Sequence, residues 1–507
     1  VTYYGDGSNL AGLGLTFFPI SYDPGISSTN IPTGTNITLN WNHPIKAGSG
    51  TITIRQGSAS GTVVDQFVVS TSSSITFANN QLTLNPAVDL STGLEYFVTL
   101  PAGTIKSYGD KYQNDQLIYS FTSKPQTMWI WGNNISGTLG LNQAGGPPWP
   151  SPSSQSSPTQ LPGTSWKIGY ASAGSGMAVR TNGTLWAWGR NDKGQLGLNS
   201  IGSPSANGIS SPTQVGTDTT WGQQLNHINV NTATRVIKTD GTLWTWGHNY
   251  YGALGLNGTQ SGINGVDHSS PVQVGTDTTW SDISGCSYSS SFALKTDGTF
   301  WSWGYNNNGE LGFHAGPGPG ASRSSPVQVG TETTWSKVAY YYGNSMGLKT
   351  DGTIWAWGKN NEGGLGLNDT IQRSSPTQIP GTWSNISSGA YNNNNQALAQ
   401  KSDGTLWVWG TNDRGFLGQN QAPAGLVAVS SPTQIPGTTW DVVQMAQKKI
   451  IATKTDGTLW SWGYNNNGGA GVNSNVQNSS PTQVGTDTNW IASSFRGGRN
   501  ATIIMRS

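Results

Sequence analysis

Only one of the 507 residues, Cys286, is a cysteine, so no internal disulfide can cross-link the fold and packing has to hold it. Charge is scarce as well: 25 Lys and Arg against 24 Asp and Glu leave a net charge of +1. That balance excludes the basic field of a nucleic-acid binder and the polybasic anchor of a protein held on anionic lipid. No apolar run reaches the roughly 18 residues that a membrane span needs, so no membrane insertion is expected. The polarity comes instead from Gly, Ser, Thr and Asn, a composition suited to turn-rich β structure displayed outside a cell. With 34% hydrophobic and 10% aromatic residues the chain can still fill real cores in two or more domains.

What is abundant is tryptophan, and it is periodic. Trp-x-Trp-Gly occurs seven times, with the pairs Trp129 and Trp131, Trp186 and Trp188, Trp244 and Trp246, Trp301 and Trp303, Trp355 and Trp357, Trp407 and Trp409, and Trp460 and Trp462. Each is followed by Asn-x-x-Gly, usually Leu-Gly, a variable stretch, Ser-Ser-Pro-x-Gln and a lone Trp. All but the first are preceded by a turn such as Thr239-Asp240-Gly241-Thr242, a strong hairpin signal between alternating residues. Residues two apart in a strand share a face, so the paired rings can fill the space between stacked sheets. A repeat of 52 to 58 residues suits four short strands, the blade of a β-propeller. The first pair lacks its hairpin partner, whereas an unpaired Asn500-Ala501-Thr502-Ile503-Ile504-Met505 follows the last lone Trp. The reading is an all-β, seven-bladed propeller over 125–507, closed by pairing of that C-terminal strand with the first blade.

These residues resemble the repeat of the regulator of chromosome condensation family, Asp-Gly-x-x-x-x-Trp-Gly-x-Asn-x-x-Gly-x-Leu-Gly. The resemblance implies the seven-bladed fold. It does not carry over nucleotide exchange or chromatin binding, because fold alone does not specify function. The family's frequent His before the hairpin strand is replaced by Ser175, Ser290 and Asn344, and no basic tail is present.

Residues 14–124 alternate in strand fashion, as in Asn36-Ile37-Thr38-Leu39-Asn40-Trp41 and Tyr96-Phe97-Val98-Thr99-Leu100, which predicts a β-sandwich of about seven strands. Pro44-Ile45-Lys46-Ala47-Gly48-Ser49-Gly50, Leu84-Asn85-Pro86 and Tyr119-Ser120-Phe121-Thr122 resemble the immunoglobulin-like domain of bacterial S-layer and secreted proteins. Before it, 1–13 reads as a connecting segment, in which Tyr4-Gly5-Asp6-Gly7-Ser8-Asn9-Leu10-Ala11-Gly12 is similar to a short segment of marine bacteriophage structural proteins. The linker Ser123-Lys124-Pro125-Gln126-Thr127 is too short for a flexible tether.

Catalytic chemistry finds little support. His43, His227, His248, His268 and His314 show no metal-ligand spacing with one another or with Cys286, so neither a metal nor a cofactor is expected. Asp240, Asp297, Asp351, Asp403 and Asp456 each precede a Gly, which points to turn formation. Cys286 has no matched base and reads as a small packed side chain. Variation is concentrated between Leu-Gly and Ser-Ser-Pro: 143–155, 200–209, 258–268, 313–323 and 419–429 are long, 369–373 and 473–478 short. Loops of changing length on a constant frame mark the candidate binding face, with Trp149 and His314 on raised segments and Tyr250 and Tyr251 on nearby turns. The expected function is therefore non-enzymatic: an extracellular virion component of the tail, fibre or capsid-decoration class, binding other virion or surface-assembly proteins, or a host surface protein or glycan. The alternatives are a secreted or surface-anchored bacterial adhesin or filament subunit, and a secreted protein inhibitor.

Overall fold

The computed structural model describes residues 17–88, 90–143, 154–172, 174–202, 208–257, 266–284, 290–314, 322–341, 343–391, 394–412, 414–420, 428–446, 449–497 and 501–506. Two compact units divide between Gln126 and Thr127.

The first unit is a sandwich of two four-stranded antiparallel sheets. Its strands are β1 (Pro19–Asp23), β2 (Ile37–Trp41), β3 (Ile45–Ala47), β4 (Thr51–Gln56), β5 (Thr62–Val68), β6 (Ile75–Ala78), β7 (Gln81–Leu84), β8 (Glu95–Leu100), β9 (Ile105–Ser107) and β10 (Leu117–Thr122). One sheet runs β1-β2-β7-β6 and the other β10-β8-β4-β5, while β3 and β9 form a separate ribbon. The strand count exceeds the expected seven because Asn79, at positive φ, lets β6 turn directly into β7, and because β3 pairs with the distant β9, Lys46 standing opposite Lys106. Alternation does what the sequence predicts: Ile37, Leu39 and Trp41 of β2 and Tyr96, Val98 and Leu100 of β8 point into one core.

The second unit contains seven four-stranded antiparallel sheets, one for each Trp-x-Trp-Gly. Sheet II shows the pattern: Trp166–Ala171, Ser175–Arg180, Leu185–Gly189 and Ile209–Gln214 lie side by side in chain order. Sheets III to VII repeat it within 228–273, 280–328, 335–379, 385–435 and 440–483. Sheet I is composite. The strand Thr127–Gly132 lies between Gln155–Gln160 and the C-terminal Ala501–Arg506, with Met128 opposite Met505 and Trp131 opposite Thr502. The expected pairing of Met128–Trp131 with the C-terminal strand is thus present, and its hydrophobic side chains pack toward both neighbours. Met128, Ile503 and Met505 join Ala171 and Trp188 of sheet II; Trp131 and Ile504 join Ile451 and Leu459 of sheet VII.

The tryptophans fill the spaces between sheets, as their spacing predicts. The second ring of every pair is fully buried, and its Nε1–H donates to a carbonyl oxygen beside the Leu-Gly turn of another sheet, or for Trp131 beside Ala470-Gly471. Trp188 donates to Thr138 at 2.8 Å, Trp246 to Gln195 at 3.0 Å, Trp303 to Ala253 at 2.9 Å and Trp357 to Glu310 at 2.8 Å. The glycine of that turn admits the ring: a Cβ on Gly197, at φ 72°, would stand 2.8 Å from Trp246 Nε1. The first ring of each pair is half-buried and donates to a threonine hydroxyl two residues earlier, as in Trp244 to Thr242 at 2.9 Å.

Candidate functional site

In an antiparallel sheet read in chain order, the first and third connections fall at one end, and the second connection and the exit to the next sheet fall at the other. The Asn-x-x-Gly turns and variable segments therefore lie at one end, the Asp-Gly hairpins and Gly-Thr-Asp-Thr-Thr-Trp turns at the other.

At the variable end, asparagine makes the frame. In each repeat its Oδ1 accepts the backbone N–H five residues on, as from Leu196 to Asn191 at 3.0 Å and from Leu365 to Asn360 at 2.9 Å. A second constant link joins neighbouring sheets: the hydroxyls of Ser211, Ser270, Ser325, Ser431 and Ser480 donate to Asn142, Asn199, Asn257, Asn368 and Asn420, each held at positive φ. His314 occupies this position in sheet IV, at φ 58°, with Nδ1 2.6 Å from Ser375 Oγ. Its role in the frame was not foreseen, although the ring remains exposed.

Tyr250 and Tyr251 do come together, in an edge-to-face pair with centroids 4.3 Å apart. The cluster is larger than anticipated: His248 stacks on Tyr250 at 5.4 Å, and Tyr305 of the next sheet meets Tyr251 at 4.5 Å. Trp149, Cys286 and most of the long segments lie outside the described residues. Two buried ionisable groups sit in or near this frame. Glu310 accepts the Asn308 N–H at 2.6 Å, and burial pushes its carboxyl up to about 7. Burial likewise brings the Lys449 amine down to about 7.

The opposite end explains the repeated aspartates. Asp240 Oδ1 accepts from both the amide (3.0 Å) and the hydroxyl (2.6 Å) of Thr242, the hydroxyl that also receives Trp244 Nε1–H. Asp297, Asp351, Asp403 and Asp456 make the same pair of bonds, which hold their carboxyls below the usual range.

Sequence reasoning missed what stands beside them. In every sheet one cation lies over two tryptophan rings, the lone Trp and the first Trp of the pair: Lys238 is 4.8 Å from Trp221 and 3.9 Å from Trp244, and Arg506 is 5.2 Å from Trp129 and 5.7 Å from Trp490. The signal was available, because Arg180, Lys238, Lys295, Lys349, Lys401 and Lys454 all sit just before a hairpin turn. Among the described residues four of these clamps are ion-paired, Lys238 with Asp218, Lys295 with Asp277, Lys349 with Glu332 at 2.7 Å and Arg506 with Asp487 at 2.6 Å.

An immunoglobulin-like sandwich and a Trp-rich propeller define the class of this all-β chain. The bacterial Ig-like domain family matches residues 19–123. The regulator of chromosome condensation (RCC1) repeat matches 182–223, 240–294, 351–393 and 456–504, and a second RCC1 repeat family matches 335–363. The chain carries a bacterial Ig-like domain followed by RCC1 repeats. It is 28% identical over 380 residues to the mitochondrial RCC1 domain-containing protein RUG3 of Arabidopsis thaliana, covering 67% of this chain and 78% of that one. Against the ultraviolet-B receptor UVR8 of the same plant the identity is 26%, over 62% of this chain and 68% of the receptor. Among solved structures, human WBSCR16 aligns with a TM-score of 0.62 at 19% identity, over 75% of this chain and 99% of that one. Yeast RCC1 (Prp20), solved bound to Kap60, aligns at 0.61 and 16% over 75% and 89%. At these identities the structures speak for the fold alone. Neither family reaches the opening segment 4–12.

Proposed function

We propose that the chain is a non-enzymatic binding protein of an extracellular assembly, a virion tail, fibre or capsid decoration, whose propeller presents its variable end to protein partners. One observation carries this: seven sheets with the same buried Trp, the same Asn turn and nearly the same Ser–Asn link support segments that differ only where they leave the frame. A frame held constant around changing loops is the arrangement of a binding scaffold. The low charge and the S-layer-like opening domain support display outside a cell. Proteomics of purified virions tests the assembly, with the chain expected at stoichiometric abundance. Its absence there together with recovery from washed cell surfaces would instead favour an adhesin, the reading that the bacterial Ig-like match supports.

A further inference from the structure

Three sheets lack the acid that pairs the cation of the Trp clamp. Val215 and Trp221 are six positions apart and enclose Asp218, whereas Ile379 to Trp383 spans four, and Ile435 to Trp440 and Leu161 to Trp166 span five, with no acid between them. In sheets VI and VII the hairpin still sets a carboxylate near the cation: the Thr405 and Thr458 bonds chiefly hold Asp403 and Asp456 down, and Lys401 and Lys454 add to the effect. Sheet II has lost that acid too, because Asn182 takes its place and makes the same bonds to Thr184. Arg180 is thus left 4.7 Å from Trp166 and 4.1 Å from Trp186 with no carboxylate on either turn of its own sheet. Its Nε is buried without a hydrogen-bond partner among the described residues. The facing turn of sheet III touches this hairpin, since a Cβ on Gly183 would stand 1.9 Å from Thr219 O, but its acid, Asp218, is engaged by Lys238.

We propose that Arg180 is a binding site for a carboxylate on an acidic segment of a partner polypeptide, which takes the place filled from within by Asp218, Asp277, Glu332 and Asp487 in sister sheets. In those four sheets the occupant is an acidic side chain on a short polar turn, so the fold itself shows what the position accepts. Arginine is the suitable cation: its planar fork holds a carboxylate with two parallel hydrogen bonds, and the two aromatic faces fix the guanidinium before the ligand arrives. Glycine keeps the approach open, for Gly163 lies at φ 98° and a Cβ there would press to 3.2 Å from an Arg180 Nη. The site lies at the end of the sheets opposite the variable segments, so it stands independently of the function proposed for them.

The test is titration of the full chain with the peptide Gly-Thr-Asp-Thr-Thr and its Asp→Asn counterpart, read by calorimetry and by the NMR shift of the Arg180 Nε–H. The acidic peptide should bind about tenfold more tightly than the neutral one, the margin of one charge-assisted contact. Arg180→Gln should erase that margin. Because that change could unfold the sheet, a second variant replaces Pro162-Gly163-Thr164-Ser165 with the five residues Gly216-Thr217-Asp218-Thr219-Thr220, so that Leu161 and the lone Trp stand six positions apart as Val215 and Trp221 do. It supplies the acid from within, should melt no lower than the parent, and should no longer bind the peptide. Equal binding of the two peptides, or undiminished binding by the graft, overturns the proposal. Tighter binding of free glucuronate than of the peptide overturns its assignment to a polypeptide.

Discussion

The Nε1–H of Trp131 donates to the carbonyl oxygen of Gly469 at 2.9 Å, joining residues 338 positions apart. It is the same bond that Trp188 makes to Thr138 across only 50 positions, so the first and seventh repeats meet as neighbouring repeats do. The contact exists because the C-terminal strand completes sheet I.

Deleting Asn500–Ser507 should therefore expose one side of Thr127–Gly132 and strip Ile503, Ile504 and Met505 from two inter-sheet cores. The expected outcome is a sharply lower melting temperature, with Trp129 and Trp131 open to a collisional quencher. An unchanged melt would rule out a stabilising role for this pairing.

The two rings of a pair should differ in energetic weight. Trp188 is fully buried against Leu139 and Leu161 and hydrogen-bonded, so Trp188→Ala should cost about 3–5 kcal/mol in urea unfolding. Trp186 is half-buried, donates only to Thr184 on its own hairpin and otherwise lies under the Arg180 guanidinium, so Trp186→Ala should cost clearly less. Equal losses would contradict the division of roles.

Much of this was legible beforehand. Trp-x-Trp-Gly sets the number of sheets, the Asp-Gly steps set the hairpins, and the orphan strand at Ala501–Met505 announces its partner. The clamps were not, because a Lys before a turn reads as ordinary surface charge until the lone Trp, as with Trp221 beside Lys238, folds over it. Likewise the tyrosine cluster needs Tyr305 from another sheet, a contact that no local pattern encodes. His314 looked like a free surface ring because its equivalence to Asn257 and Asn368 shows only once the Ser375 link is seen.

Glu310 should make stability depend on pH. Its folded value, about 7, lies above its ordinary 4.5, so the folded state holds a proton that the unfolded state has released between those values. Stability from this group is thus fully present below pH 4.5 and lost as pH rises through 7. In sheet II the same position is Gln195, whose Oε1 accepts the Lys193 N–H at 2.8 Å as Glu310 accepts that of Asn308. Glu310→Gln should then stabilise the protein at pH 8 by on the order of 3 kcal/mol and leave it unchanged at pH 4. Parallel pH–stability curves for parent and variant would exclude this account.

The hairpin aspartates work in the opposite direction. Bonds from threonine hold Asp240 and Asp297 below the usual carboxylate range, so their stabilisation is present above the unfolded value and lost as pH falls through the folded one. Asp240→Asn keeps the acceptor, as Asn182 does in sheet II, and should flatten the acid limb of the pH–stability curve while giving up at neutral pH the stabilisation that the ionised carboxylate adds. A steeper acid limb would refute the turn assignment.

The variable end makes the last prediction. Tyr251 sits at φ 52°, a conformation that a large ring adopts only when its surroundings hold it, and it is gripped between Tyr250 and Tyr305. A strained aromatic cluster of this kind on a half-buried turn is a rigid anchor of the sort that dominates protein contacts, because little rotamer freedom is lost on binding. Replacing Tyr250, Tyr251 and Trp149 together with Ala should abolish attachment or incorporation into the assembly. Folding should be retained, since the Leu254-to-Asn249 bond that fixes the turn survives. Because two rings leave one cluster and Trp149 lies on another segment, the Tyr250→Ala, Tyr251→Ala double variant separates the contributions. Attachment and incorporation at parental levels, with the fold intact, would remove this end of the propeller as the binding surface and leave the Arg180 end or the Ig-like domain to carry it.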